Sequence, residues 1–126
     1  VSMFHRVRNH FGVNRLGQAA ALAALKDQNW LAHVIAQVET SRDRIAAIAS
    51  SQGFAPIASA TNFVTMDCGR DSGYAKAILD GLVSRGIFIR MPGVAPLNRC
   101  IRISTGPAAE IDLFEDELQN IVADLG

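Results

Sequence analysis

The sequence predicts an α+β fold: a small, mainly antiparallel sheet of about three strands, helices packed on one of its faces, and a long linking helix ahead of it. Three observations carry that expectation. A stripe formed by Leu31, Val34, Ile35, Val38, Ile45, Ile48 and Ala49 keeps helical spacing from about Asn29 to Ser51, about 35 Å at ~1.5 Å per residue. The second half instead holds short alternating segments rich in β-branched residues, bounded by turn formers. Finally, those segments do not alternate regularly with helices, as a doubly wound sheet would require, so the helices belong on one face.

The elements follow in order. Val1 to Asn14 shows little periodicity, and Gly12 and Asn14 mark a stop and a restart. Arg15 to about Lys26 is built of strong helix formers, with alanines that let a neighbour approach closely. Asp27 and Asn29 are N-cap types for the long helix; Gly53 is its expected C-cap, and Pro56 cannot continue it. Asn62 to Asp67 reads as a strand ending in the turn Cys68-Gly69-Arg70-Asp71. Asp71 or Ser72 then caps a helix carrying Tyr74, Ile78 and Leu82 on one row, closed by Gly86. Ile87 to Arg90 reads as a short strand, Met91 to Arg99 as a loop holding Pro92 and Pro96, and Cys100 to Ser104 as a second alternating strand. Pro107 stands at the first position of a final helix with the core stripe Ile111, Phe114, Leu118, Ile121, Val122 and Leu125.

Composition narrows the function. A length of 126 residues suffices for one domain with a modest core, and 49% hydrophobic content excludes a disordered segment. Twelve basic and twelve acidic residues cancel, which argues against affinity built on many phosphates, so no nucleic acid is expected as a partner. The longest apolar stretch, Ala19 to Leu25, falls far short of the ~20 residues of a membrane span, and nothing marks secretion. A cytoplasmic protein without membrane contact is the expectation. Cys68 and Cys100 lack a CxxC spacing; one disulfide between them is the alternative to the favoured reading of two reduced, buried thiols. The opening, Val1-Ser2-Met3-Phe4, reads like the middle of something longer.

Among the bases only Lys26 and Lys76 are lysines; the other ten are arginines, suited to planar, bidentate recognition of carboxylate or phosphate. Strand phase then singles out two of them. Ile87 and Ile89 share one face with Phe88 and Arg90 on the other; Ile101 and Ile103 share one face with Cys100, Arg102 and Ser104 on the other. With the isoleucine faces under the helices, Arg90 and Arg102 leave the opposite face of one sheet, either as an anion site or as ordinary arginines on a solvated surface. Other candidates are weaker. His5, His10 and His33 have no metal-like spacing, no Ser, Cys or Thr nucleophile sits in a recognisable motif, and Gly69-Arg-Asp-Ser-Gly73 is explained by a turn with a helix cap.

The segment from Gly86-Ile-Phe-Ile-Arg90 to Cys100-Ile-Arg-Ile-Ser-Thr-Gly106 resembles the C-terminal signature of histidinol-phosphate aminotransferases and their class I/II, fold-type I relatives. Arg6 to Asn14, Gln18 to Asp27 and the strand start Asn62-Phe63 are similar to the same family in the same order. The resemblance implies the tail of a large cofactor-binding domain at 1–28, a long linking helix at 29–52 and a C-terminal small domain at 53–126. It implies pyridoxal 5'-phosphate as cofactor, an amino acid and a 2-oxo acid as substrates, and a homodimer. On that likeness Arg102 matches the arginine that binds the substrate α-carboxylate, and Arg90 the one that helps bind a substrate phosphate. The lysine that bonds to the cofactor, and the residues that hold its ring, would lie upstream of Val1, so no catalytic or cofactor-binding residue is assigned here and the chain alone should be inactive. A threonine-phosphate decarboxylase shares this logic within the family. The alternative outside it is a non-catalytic α+β module that binds an anionic metabolite or mediates dimerisation.

Overall fold

The computed structural model describes Met3 and residues 12–126, which fall into two compact units divided between Ile35 and Ala36. The resemblance at residues 6–11, and His5 and His10, lie outside the described residues.

In the first unit, helix α1 runs over Arg15–Lys26, and the Asn14 side chain accepts a hydrogen bond from the Gly17 amide at 2.8 Å. That bond satisfies one of the donors a helix start leaves unpaired. Helix α2, Gln28–Ser51, begins here, with Asp27 Oδ1 accepting from the Trp30 amide at 3.0 Å. Its apolar stripe continues across the division, half-exposed at Leu31 and Ile35 and buried at Ile45, Ile48 and Ala49.

The second unit holds the sheet. Strands β1 (Ala55–Ile57), β2 (Phe63–Asp67) and β3 (Cys100–Ser104) lie in that order, both pairs antiparallel. Helices α3 (Ser72–Ser84) and α4 (Ala108–Leu125) complete the unit, joined to β3 by residues 85–99, which end in a 3-10 turn at Leu97–Arg99, and by residues 105–107. The alternation read in the sequence holds in β2 and in β3 from Ile101 onward, while Cys100, in phase with Arg102, is buried. Val64, Met66, Ile101 and Ile103 are buried with Ile45 and Ile48 of α2, Ile78 and Leu82 of α3, and Phe114, Leu118 and Ile121 of α4. Each fully buried side chain of this size contributes about 1.5–3 kcal/mol, and together they hold all three helices to one sheet face.

Two strand assignments change. Ile87–Ile89 forms no strand; only Arg90 pairs, as an isolated antiparallel bridge to Arg102. The cause is the end of α3. The Gly86 amide donates to the Val83 carbonyl at 3.0 Å and the Ile87 amide to Leu82 at 2.9 Å, with Gly86 at a φ of 81°. This left-handed closure takes the donor a strand would need at Ile87, and Pro92 has no amide to continue the ladder. The third strand is instead β1, centred on Pro56, which an edge position tolerates. Pro107 also stands one position earlier than expected, capping α4 from outside the helix.

Candidate anion-binding face of the sheet

Register builds the site. On the face away from the helices, Ile57 pairs with Thr65, Thr65 with Arg102, and Arg102 with Arg90, so four side chains stand in one row across the sheet. The Arg90 amide donates to the Arg102 carbonyl at 3.1 Å, and the Arg102 amide to the Arg90 carbonyl at 2.7 Å. Two residues that exchange both bonds sit directly opposite, with Cα atoms about 5.5 Å apart and side chains on the same side. The two arginines predicted from strand phase thus leave one face from directly opposed backbone positions.

Strand β3 is pinned at both ends. At its start, Asp67 Oδ2 accepts from Arg99 Nε at 2.9 Å and Nη2 at 2.6 Å, while Oδ1 accepts from the Gly69 amide at 2.9 Å. The Gly69 amide first, and then Arg99, hold the Asp67 carboxyl below its ordinary value. At its end, the Thr105 amide and hydroxyl donate to the Asn62 carbonyl at 2.9 and 3.1 Å, and the buried Ser41 hydroxyl accepts from the Gly106 amide at 3.2 Å. Cys68 and Cys100 are buried free thiols beside this anchor; burial pushes Cys68 up to about 12 and raises Cys100.

The arginines divide by what they hold. Arg44, Arg85 and Arg99 pair with carboxylates: Asp112 and Glu115, Glu117 and Asp124, and Asp67 respectively. Arg42 and Arg70 donate to the Thr61 and Gly126 carbonyls. Among the described residues of the second unit, only the guanidinium groups of Arg90 and Arg102 have no acidic or hydrogen-bonding partner. Arg102 instead lies over the Phe63 ring, its Cζ 4.6 Å from the centroid. Such a pair keeps its charge and its fork of N–H donors available to a planar anion.

Lys76 pairs with Asp80 at 2.6 Å on the exposed side of α3, and Lys26 ends α1 in solvent. Both lysines are exposed. Among the described residues no three His, Cys, Asp or Glu side chains gather as metal ligands. No described helix is long and apolar enough to cross a membrane. Two contributors escaped the sequence reading: Phe63 as a platform under Arg102, and the Asp67–Arg99 clasp. Both depend on cross-strand register, which no local pattern announces.

Known proteins share this architecture. The chain is 38% identical over 120 residues to histidinol-phosphate aminotransferase 2 of Methylococcus capsulatus, covering 95% of this chain and 32% of that protein. It superimposes on the crystal structure of histidinol-phosphate aminotransferase from Sinorhizobium meliloti in complex with pyridoxal 5'-phosphate, with a TM-score of 0.89 and 56% identity over 99% of this chain and 34% of that one. A putative aminotransferase from Burkholderia pseudomallei aligns at a TM-score of 0.75 and 26% identity, over 96% of this chain and 36% of that one. The chain therefore spans about a third of the length of these relatives. The family model for aminotransferase class I and II matches residues 1–118, the whole of the sheet and most of α4 included. With fold and sequence in agreement over nearly every residue, the chain belongs to the class I and II aminotransferase family.

Proposed function

We propose that the chain is the C-terminal part of a pyridoxal-phosphate-dependent aminotransferase of the histidinol-phosphate type, moving an amino group between an amino donor and a 2-oxo acid. Residues 1–28 would be the tail of the large domain, 29–52 the linking helix and 53–126 the small domain. One observation supports this reading above the others: Arg90 and Arg102 are directly opposed on an open sheet face with their donors unspent. Arg102 binds the substrate carboxylate through two parallel N–H···O bonds, which fixes both its position and the plane of the group. Fixing the carboxylate orients the rest of the substrate, so that the bond to be broken is held in reacting geometry. Arg90, one strand position away, takes a second anion, the phosphate of a phosphorylated donor. Pyridoxal phosphate, when bound, supplies the electron sink for proton removal at the substrate carbon. Its lysine and ring contacts belong to the remainder of the protein, so this chain alone is inactive. The complete protein is a cytoplasmic homodimer on this reading.

The test is a pair of variants in the complete coding frame. Arg102→Ala should raise KM for every carboxylate-bearing substrate by tens to hundreds of times, the loss of one or more charge-assisted bonds. Arg90→Ala should weaken phosphorylated donors and leave unphosphorylated ones unchanged. If Arg102→Ala spares all carboxylates, the assignment is wrong. Release of carbon dioxide instead of amino transfer would make the enzyme a phosphate-recognising decarboxylase of the same family.

A further inference from the structure

We propose that Phe63 is a positioning residue for substrate binding: its ring holds the Arg102 guanidinium in a receiving posture while leaving every N–H donor free. The inference rests on the carboxylate role given to Arg102 above. Phe63 and Arg102 are diagonal neighbours in the β2–β3 ladder, since Phe63 pairs with Ser104 and Thr65 with Arg102. Arg102 Cζ stands 4.6 Å from the ring centroid, well inside the ~6 Å over which a ring face attracts a cation. Elsewhere in this unit Arg44, Arg85 and Arg99 are oriented by carboxylates, Arg42 by a carbonyl, and Arg70 by the Tyr74 ring, 4.3 Å from its centroid, together with the Gly126 carbonyl; carboxylates and carbonyls consume donors, and the carboxylates also cancel charge. A ring face does neither. It takes the flat side of the guanidinium, and the donors lie in the plane of the group, at its edge. An arginine already held in place loses less side-chain freedom when the anion arrives, and that saving appears as affinity.

Phe63 is itself anchored. Its carbonyl accepts the Ser59 hydroxyl at 2.6 Å, and its strand lies between β1 and β3. The arrangement distinguishes the two site arginines. Arg102 is half-buried against the ring, whereas Arg90 is exposed and has no ring contact among the described residues. Phe63 therefore acts on the carboxylate site alone.

The experiment measures binding of glutarate, a dicarboxylate with no amino or oxo group to react, by calorimetry to the complete cofactor-loaded protein. Phe63→Leu keeps an apolar side chain and removes the ring; it should weaken glutarate roughly two- to thirtyfold. Phe63→Tyr keeps the face and should bind within twofold of the parent. Adding Phe63→Leu to Arg102→Ala should weaken binding no further, because the ring acts through that arginine. An equal loss for Leu and Tyr, or the same loss with and without Arg102, would overturn the proposal by making Phe63 merely structural. Loss of less than twofold for Phe63→Leu, with Arg102→Ala strongly impaired, would overturn it too and leave the carboxylate role standing. If Arg102→Ala binds glutarate normally, the carboxylate role fails, and the inference with it.

Discussion

Gly81 is the position where the packing of α3 on α4 can be tested most sharply. A methyl group at its Cα would meet three carbons of one side chain: Ile121 Cδ1 at 3.1 Å, and Cγ1 and Cγ2 at 3.2 Å each. Carbon pairs prefer about 3.5–4.0 Å. Two effects oppose each other in Gly81→Ala. Alanine is the better helix former by about 1 kcal/mol, while overpacking a filled core costs about 1–3 kcal/mol. Relief would have to come from Ile121, which is 3% exposed and, being β-branched, stiff about its first torsion. Rotating one of its carbons away drives another inward, so the packing cost should win and the chain lose about 1 kcal/mol. With a urea m-value of about 1–3 kcal/mol/M, the midpoint followed by far-ultraviolet circular dichroism falls by roughly half a molar unit. In an Ile121→Ala background the methyl has space, only the helix preference remains, and Gly81→Ala should stabilise by about 1 kcal/mol. The same rise in the parent and in the Ile121→Ala background would refute the close approach of the two helices.

Two further expectations concern the groups that anchor β3. Asp67 is held below its ordinary carboxylate value, so its stabilisation is complete above the unfolded pKa of about 3.9 and is lost as pH falls through the lower native value. Urea midpoints of the parent should therefore drop more steeply than those of Asp67→Asn on acidification below about pH 4; parallel curves would show that the Gly69 and Arg99 bonds carry no net stabilisation. Cys68, pushed up to about 12, and Cys100, raised by its burial, stay protonated in the native chain at pH 8. A disulfide reagent should then modify them only as the chain unfolds, and stability should decline above about pH 8.5, where unfolded thiols ionise first. Immediate stoichiometric modification of the native chain at pH 8 would contradict this.

Much of the fold was legible because its signals are local. Asn14 and Asp71 cap α1 and α3 where cap residues precede helical spacing, and Gly53 and Gly86 take positive φ where those stripes end. Period-two alternation placed Ile101 and Ile103 in the core and Arg102 outside it. The misreading at Ile87–Ile89 arose where two local rules met. The residues favour a strand, but the closure of α3 claims the Ile87 amide, and that bond is visible only once the helix end is built. Strand β1 was missed for the converse reason. Pro56 disqualifies a central strand, yet nothing in the sequence says that this segment would lie at an edge.

The site shows the same division between phase and partner. Phase is a property of one strand, and it put Arg90 and Arg102 on matching faces before any pairing was known. Which arginine is free to bind depends on every other charged group in the fold. Arg44 looks no less available than Arg102 in the sequence, yet Asp112 and Glu115 of α4 occupy it, and Asp67 occupies Arg99. Arginine abundance is thus a poor guide to an anion site, since most of these side chains tie elements of the fold together. What identifies a receptor is an arginine oriented without being neutralised. Arg70 too lies over a ring, that of Tyr74, but gives a donor to the Gly126 carbonyl, whereas Arg102 rests on Phe63 with no hydrogen bond or carboxylate beside it among the described residues.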